Sequence, residues 1–230
     1  MNKIILFIVF VFFLAVCAAQ DTVLRRNRLS DSVIEKFYVL KSNPEIRSGR
    51  YQAIFRHETS VAVGYYNNGK KIGIWQFFNR QGKLIEKYDY NSKAFTFEAP
   101  LQPSDDLSFL FDDSLRTGDK LTRPLKIGGN YYGMIPYLNL FQLPFDTFNT
   151  NTDSFLAFIE LLVSPLGRLA DYKVYVRSDL YQYSHDFNFD VHLFSEEDRT
   201  FTPATLNGKP ILSRIVIKCY VNYLGGLDFY

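Results

Sequence analysis

Apolar and polar residues alternate with a period of two along much of the chain, which is the pattern of half-buried β-strands. Residues 172–177 are an example, because Tyr172, Val174 and Val176 alternate with Lys173, Tyr175 and Arg177. Residues 155–163 are apolar at nearly every position instead, as expected for a strand with neighbours on both sides. The pattern predicts a strand-rich protein.

Glycine turns divide the first half of the chain into hairpins. Residues 49–55 align with residues 73–79 at a shift of 24, and each unit is a glycine followed by an aromatic-rich strand. Asn68-Gly69 is typical of a two-residue hairpin turn, because both residues tolerate positive φ, and Gln81-Gly82 marks a second turn. We therefore expect an antiparallel meander of β-hairpins over residues 20–93.

The start of this region allows two interpretations. Ser32 and Glu35 have the spacing of a capping box, which would begin a helix. Residues 37–40, Phe-Tyr-Val-Leu, fit a strand. We favour the strand.

Residues 94–153 lose the regular pattern, since five prolines, two Asp pairs and Gly128-Gly129 interrupt them. The chain contains no Gly-x-Gly-x-x-Gly or Gly-x-x-x-x-Gly-Lys run, so the two glycines are interpreted as turn residues and not as a phosphate cradle. We expect a connector with some local structure here.

Residues 154–230 form the last predicted domain. A turn at Pro165-Leu166-Gly167 joins the strands predicted for residues 155–163 and 172–177. Residues 179–197 are predicted as a helix, because Leu180, Tyr183, Phe187 and Val191 recur at spacings of three and four. An Asn207-Gly208 turn then leads into a final strand over residues 211–223.

The first 19 residues have the features of a secretory signal peptide: a cationic start, an apolar stretch and small residues at the end. The apolar run spans 16 residues, short of the roughly 20 that a membrane-spanning helix needs. Cleavage before Gln20 would give a periplasmic or envelope-associated protein. Two alternatives stay open: a lipoprotein modified at Cys17, or a leader retained as an inner-membrane anchor.

Charge and composition limit the classes of partner. The chain has 26 basic and 24 acidic residues, and removing the leader also removes Lys3, which leaves 25 against 24. This balance argues against nucleic acid as a partner. The 16 tyrosines and 22 phenylalanines favour strands over helices. If Cys17 leaves with the leader, Cys219 is the only thiol and no intramolecular disulfide can form.

The reactive side chains give no motif for catalysis. His185 and His192 lie seven residues apart on the predicted helix, which could support a metal site, but the spacing of four that is typical of paired ligands is absent. These two are interpreted as solvated polar residues of that helix, and His57 is the third histidine of the chain. Cys219 is in phase with apolar neighbours and is interpreted as a buried thiol. We expect no enzyme activity, no cofactor and no metal.

An aromatic stripe in the first domain has two explanations. Its rings could stack on sugars or grip a peptide, or they could form the core of a thin sheet. The core is the favoured interpretation. The stripe consists of Tyr65, Tyr66, Trp75, Phe77 and Phe78.

The segment that runs from Gly64 to Trp75 resembles the MORN repeat, whose signature couples a tyrosine, an Asn-Gly turn and a Gly-x-Trp strand. The resemblance covers about residues 47–90. Two units are visible, and the first lacks the Asn-Gly turn, so a long array is not expected.

The C-terminal region resembles the TonB carboxy-terminal domain over about residues 155–223. The resemblance rests on the order of strand, Pro-Leu-Gly turn, strand and helix, then Phe201-x-Pro203-Ala204 and Asn207-Gly208-Lys209-Pro210 before a last strand. It implies a small α+β domain in which a helix packs on a three-stranded antiparallel sheet. It also implies capture of an extended peptide at the exposed sheet edge.

These observations predict a strand-rich α+β envelope protein that is not an enzyme and binds a protein or peptide partner by strand addition at its last strand. Two alternatives are a lipid-anchored structural protein, and a TonB-type energy transducer whose partner is an outer-membrane transporter. Membrane contact is expected only if the chain is lipidated or keeps its leader. The predicted partner-binding residues are Leu212, Arg214, Val216, Ile217, Lys218 and Tyr220.

Overall fold

The computed structural model of the chain describes residues 21–102, 106–112, 114–144 and 150–229. The predicted leader, Cys17 included, lies outside the described residues. Within them, strands form three antiparallel sheets, and helix is limited to the α-helix α1 (Ile135–Leu138) and three short 3₁₀ turns. No helix in these ranges is long and apolar enough to cross a membrane. The prediction of a strand-rich protein is confirmed.

The first sheet is a meander in which every strand pairs antiparallel with the next one along the chain. It contains the strand that was favoured for residues 37–40, so a helix beginning at Ser32 is wrong. The strands are β1 (Thr22–Arg28), β2 (Val33–Leu40), β3 (Asn43–Phe55), β4 (Thr59–Asn67), β5 (Lys70–Phe78), β6 (Leu84–Asp89) and β7 (Ala94–Glu98).

Glycines fix two features of this sheet. Asn68 and Gly69 connect β4 and β5 with φ angles of 48° and 81°, which confirms the predicted hairpin turn. Gly64 faces Trp75, and a Cβ added at Gly64 would lie 2.2 Å from the indole. The fully buried Trp75 ring therefore packs directly on the β4 backbone, and only glycine fits at position 64.

The second sheet is built from strands that are distant in sequence. Its members are β8 (Leu107–Phe111), β10 (Leu156–Val163), β11 (Leu169–Ser178), β12 (Tyr183–Phe189), β15 (Ser213–Val221) and β16 (Leu227–Phe229). Their order is β12-β11-β10-β15-β16, with β8 beside β16 on the same edge of β15. As predicted, β10 is a central strand.

The predicted helix over residues 179–197 is wrong, since this segment contains β12 and a 3₁₀ turn at Val191–Leu193. In β12 the side chains of Tyr183, Phe187 and Phe189 recur at even spacings. They lie opposite Ser178, Val174 and Tyr172 of β11, which are buried. Pairing with a buried strand therefore outweighs the weak helical periodicity.

A small third sheet joins β9 (Leu121–Thr122), β13 (Thr205–Leu206) and β14 (Lys209–Pro210). Asn207 and Gly208 connect the last two strands with φ angles of 52° and 79°. The turn predicted at this position is therefore confirmed.

Residues 125–143 fill the space between the two large sheets. Tyr132 stacks on Phe77 of the first sheet with ring centroids 5.6 Å apart. On the other side, the hydroxyl of Tyr172 in β11 donates to the carbonyl of Tyr137 over 2.5 Å. The buried residues of both sheets and of this segment form one hydrophobic cluster, so the predicted connector contributes three strands, α1 and much of the core.

Candidate functional site

The predicted binding strand is not an edge, and this prediction is wrong. β15 pairs with β10 from Ser213 to Tyr220 on one side. On the other side it pairs with β8 and then with β16. The local sequence gave no sign of β8, which comes from the predicted connector. Backbone groups on both sides of β15 are therefore used within the sheet, and no peptide can be added beside it.

The six residues predicted for partner binding have different environments. Ile217 is fully buried. Arg214 bonds Asp112 and lies 3.6 Å from Glu160, and the Lys218 backbone N–H donates to the Asp106 carbonyl. Leu212 precedes the strand, while Val216 and Tyr220 are half-buried.

The histidines are not brought together. His57 occupies the exposed turn between β3 and β4, His185 lies in β12, and the His192 ring contacts Arg199 at 3.0 Å. Because the helix is absent, the spacing of seven no longer places two of them on one face. Cys219 is buried as predicted, and burial raises the pKa of its thiol.

Most of the aromatic stripe belongs to the core. Trp75 and Phe77 are buried, and Trp75 packs against Tyr51 with ring centroids 4.9 Å apart. Tyr65 points to the opposite face and is 56% exposed.

The first sheet does have an exposed edge, at β1. Among the described strands, β1 has a neighbour on one side only, namely β2. All its residues except Thr22 are exposed, including the apolar Val23 and Leu24. Within the described ranges, Arg25 and Arg26 make no side-chain hydrogen bond or ion pair. The sequence pattern did not predict this strand, because Val-Leu-Arg-Arg does not alternate between apolar and polar residues.

An ion pair between β2 and β3 also contacts β1. Glu35 of β2 is 2% exposed and receives two hydrogen bonds from Arg47, of 2.7 and 3.0 Å. Asn27 of β1 donates to the same carboxylate over 3.2 Å. Burial alone would lower the pKa of Arg47, but the contacts with Glu35 outweigh it and raise that pKa. The hydrogen bond from Asn27 to this pair therefore fixes the register of β1 against β2.

The end of β1 is tied to the second sheet. Arg28 pairs with Asp31 at 2.5 Å, and Asn222 donates to the same carboxylate over 2.8 Å. The Ser32 hydroxyl donates to Asp228 of β16 over 2.7 Å. β1 is therefore an exposed but well-positioned strand.

Gly128-Gly129 do bind a carboxylate, and it is one of the protein's own. The Gly128 backbone N–H donates to Glu86 over 2.8 Å, and Glu86 is 3% exposed. Burial raises the pKa of Glu86 to about 8, against the hydrogen bond from Gly128, which lowers it. This contact fastens the glycine turn to β6.

Comparison with known proteins gives no relative: no family model, no curated protein and no solved structure matches the chain.

Proposed function

We propose that the chain is a non-catalytic binding protein of the cell envelope that captures an extended segment of a partner protein by strand addition. The partner strand pairs with β1. The exported location follows from the leader predicted for residues 1–19. The observation that carries the proposal is the exposed edge of β1, with its apolar start and its two arginines that have no partner in the described residues.

The side chains of β1 indicate the chemistry of the partner. Neighbouring strands place residues opposite one another at about 5 Å between Cβ atoms, so side chains across a pair interact directly. Val23 and Leu24 favour apolar residues in the partner, and Arg25 and Arg26 favour acidic ones. Arginines on an edge strand also serve to prevent aggregation, but that role does not account for two exposed apolar residues beside them.

The other edges are less suited. β12 also has a single strand neighbour among the described strands, but its exposed residues are polar, namely Ser184, His185, Asp186 and Asn188. β7 and β8 have five residues each and β16 has three, against seven in β1.

The proposal keeps only part of the TonB-like arrangement expected for the C-terminal region, namely its three-stranded sheet. The antiparallel strands β11, β10 and β15 support the three-stranded sheet that the resemblance implies. The helix of that arrangement is replaced by β12. Binding is therefore transferred from the C-terminal sheet to the first sheet.

Fluorescence anisotropy at low salt tests the proposal with a seven-residue labelled peptide that contains Glu-Glu-Val-Val. In an antiparallel pairing its glutamates lie opposite Arg26 and Arg25, and its valines lie opposite Leu24 and Val23. The control peptide carries lysine in place of glutamate. We expect the acidic peptide to bind, and the Arg25→Glu/Arg26→Glu variant to bind it about tenfold more weakly because attraction becomes repulsion. The same variant should gain affinity for the lysine peptide.

Arg50→Glu is the matched control, since Arg50 is exposed on β3, an interior strand of the same sheet. It should leave binding unchanged. Equal effects of the Arg50 change and the β1 changes would show a general charge effect and contradict the proposal, as would absence of binding by the unmodified protein.

A further inference from the structure

Three apolar side chains form a patch on the outer face of the first sheet, the face turned away from the core. Tyr65 of β4 lies directly opposite Ile72 of β5 in the register of the two strands, and Ile74 follows two residues further along β5. Tyr65 is 56% exposed, Ile72 38% and Ile74 53%. Single exposed apolar residues are normal on protein surfaces, but a contiguous group of them is a feature of contact surfaces.

Opposite charges flank this patch. On one side, Arg50 of β3 is exposed and lies opposite Tyr65. On the other side, Asp89 of β6 lies opposite Ile74. The four strands from β3 to β6 therefore present a cation, an apolar centre and an anion in that order across the outer face.

A second copy of the chain matches this arrangement. In a dimer with a two-fold axis each contact occurs twice, because the same surface is used by both copies. An axis that runs along the strands between β4 and β5 places Tyr65 of one copy over Ile72 of the partner subunit. The same rotation places Arg50 over the partner's β6, the strand that carries Asp89. Apolar side chains therefore meet apolar ones, and charges of opposite sign face each other.

The face is large enough for a weak dimer. β4 and β5 have nine residues each, which at about 3.4 Å per residue gives a length of roughly 30 Å. Four strands about 4.8 Å apart span roughly 19 Å. Two such faces bury roughly 1,100 Å² in total, which is typical of weak, transient interfaces and exceeds the area of most crystal-packing contacts.

We propose that the chain forms a two-fold symmetric homodimer in which the outer faces of the two first sheets pack on each other around Tyr65, Ile72 and Ile74. A partner of different sequence would have to supply its own apolar centre with flanking charges in the matching order, whereas a second copy carries them by symmetry. β1 lies two strands beyond β3, outside the four packed strands. Its edge stays open in this dimer, so the inference is independent of strand addition.

Sedimentation equilibrium over a range of protein concentrations tests the dimer. The sample is the chain that starts at Gln20, which contains every described residue and lacks the apolar leader. We expect the mass to rise from that of a monomer to that of a dimer at concentrations of about 1–100 μM, as for a weak interface. A monomer throughout this range would overturn the proposal, and so would larger assemblies without a limiting dimer.

A charge placed in the apolar centre identifies the face. Ile74→Glu should weaken the dimer on the order of 100-fold, because the new carboxylates of both copies would be buried in the apolar contact. The protein should stay folded, since the side chain is exposed in the single chain. Leu166→Glu is the matched control, at a residue that is 87% exposed in the turn between β10 and β11, and it should leave the dimer unchanged. An unchanged dimer of folded Ile74→Glu protein, or equal weakening by both changes, would refute the assignment.

Charge reversal tests the two-fold arrangement. Arg50→Glu should weaken the dimer on the order of tenfold, because an attraction that occurs twice becomes a repulsion. Asp89→Asn keeps an oxygen that accepts from the Asn91 N–H and removes the negative charge. Added to Arg50→Glu, it should therefore restore most of the lost affinity. A double variant that dimerises as weakly as Arg50→Glu alone would contradict the pairing of Arg50 with Asp89, and with it the proposed axis.

Discussion

At the scale of single residues, Glu86 and Lys126 are two buried ionisable side chains whose pKa values are shifted by burial. Both are 3% exposed, and they flank the Gly128-Gly129 turn. Glu86 reaches this turn from β6, while Lys126 reaches across to the carbonyls of residues 197 and 200. Their burial disfavours the charged form of each, so the turn between the sheets is held by two groups whose ionisation opposes folding.

Glu86 makes the stability of the protein dependent on pH. Its pKa is raised from 4.5 to about 8, so between these values the folded state keeps a proton that the unfolded state has lost. Stability therefore decreases as pH rises through this window. Glu86→Gln keeps an acceptor for the Gly128 N–H but cannot ionise. We expect the variant to remove a dependence of up to about 1.4 kcal/mol per pH unit, measured by urea unfolding at several pH values in that window.

The matched control is Glu58→Gln, at an exposed glutamate in the turn between β3 and β4. It should retain the slope of the unmodified protein. If Glu86→Gln has that slope too, Glu86 is ionised in the folded state and its burial does not govern the pH dependence.

At the scale of elements, the sequence predicted what is encoded by neighbouring residues. The meander follows from turns such as Asn68-Gly69, whose conformation is set locally, and β10 follows from its apolar residues. The predicted helix was wrong because Tyr183 and Phe187 satisfy both a spacing of four and an even alternation. β15 was misjudged because its partner β8 lies about 100 residues away, as in the pair Ser213 and Phe111.

The candidate sites were less predictable than the fold. The glycines at 128 and 129 were recognised as a turn, but nothing nearby in sequence indicated that they hold Glu86. Lys126 is buried through contacts with residues 197–200, which only the tertiary structure brings close to it. β1 could not be found from Val-Leu-Arg-Arg, which lacks the alternation of a half-buried strand, and neither could its position at an edge.

Hydrogen exchange should distinguish interior strands from the proposed binding strand. The amides of β15 are enclosed between strands on both sides, whereas those of β1 need only local opening. We expect exchange in β1 to be faster on the order of 100-fold, measured by mass spectrometry of peptides covering each strand. β3, which has two neighbours in the same sheet as β1, is the control and should resemble β15. Equally slow exchange in β1 would mean that its edge is covered.

At the scale of the whole molecule, the two predicted domains share one core. The cluster of buried side chains includes Trp75 of the first sheet and Cys219 of the second. Residues 125–143 lie between the sheets, and the bond from Ser32 to Asp228 joins them directly. The ranges 20–93 and 154–230 correspond to the two sheets, but their apolar faces are buried against the same central segment.

We therefore expect the two sheets to unfold together. The chain contains a single tryptophan, so Trp75 fluorescence reports on the first sheet. In a chain that starts at Gln20, Cys219 is the only thiol, and its reactivity toward a thiol reagent reports on the second. Both signals should give the same urea midpoint, as in a cooperative transition. Two separate midpoints would show that each sheet is stable alone.

The position of β15 makes the second sheet sensitive to loss of the C-terminal part of the chain. A polypeptide interrupted before Ser213 has no strand to pair with β8, and one edge of β10 is left uncovered. The residues of β10 that face the core are all apolar. Such a fragment therefore exposes apolar side chains beside an unpaired strand edge, which are features that chaperones and proteases recognise. Because both sheets share one core, we expect such an incomplete chain to be unstable as a whole.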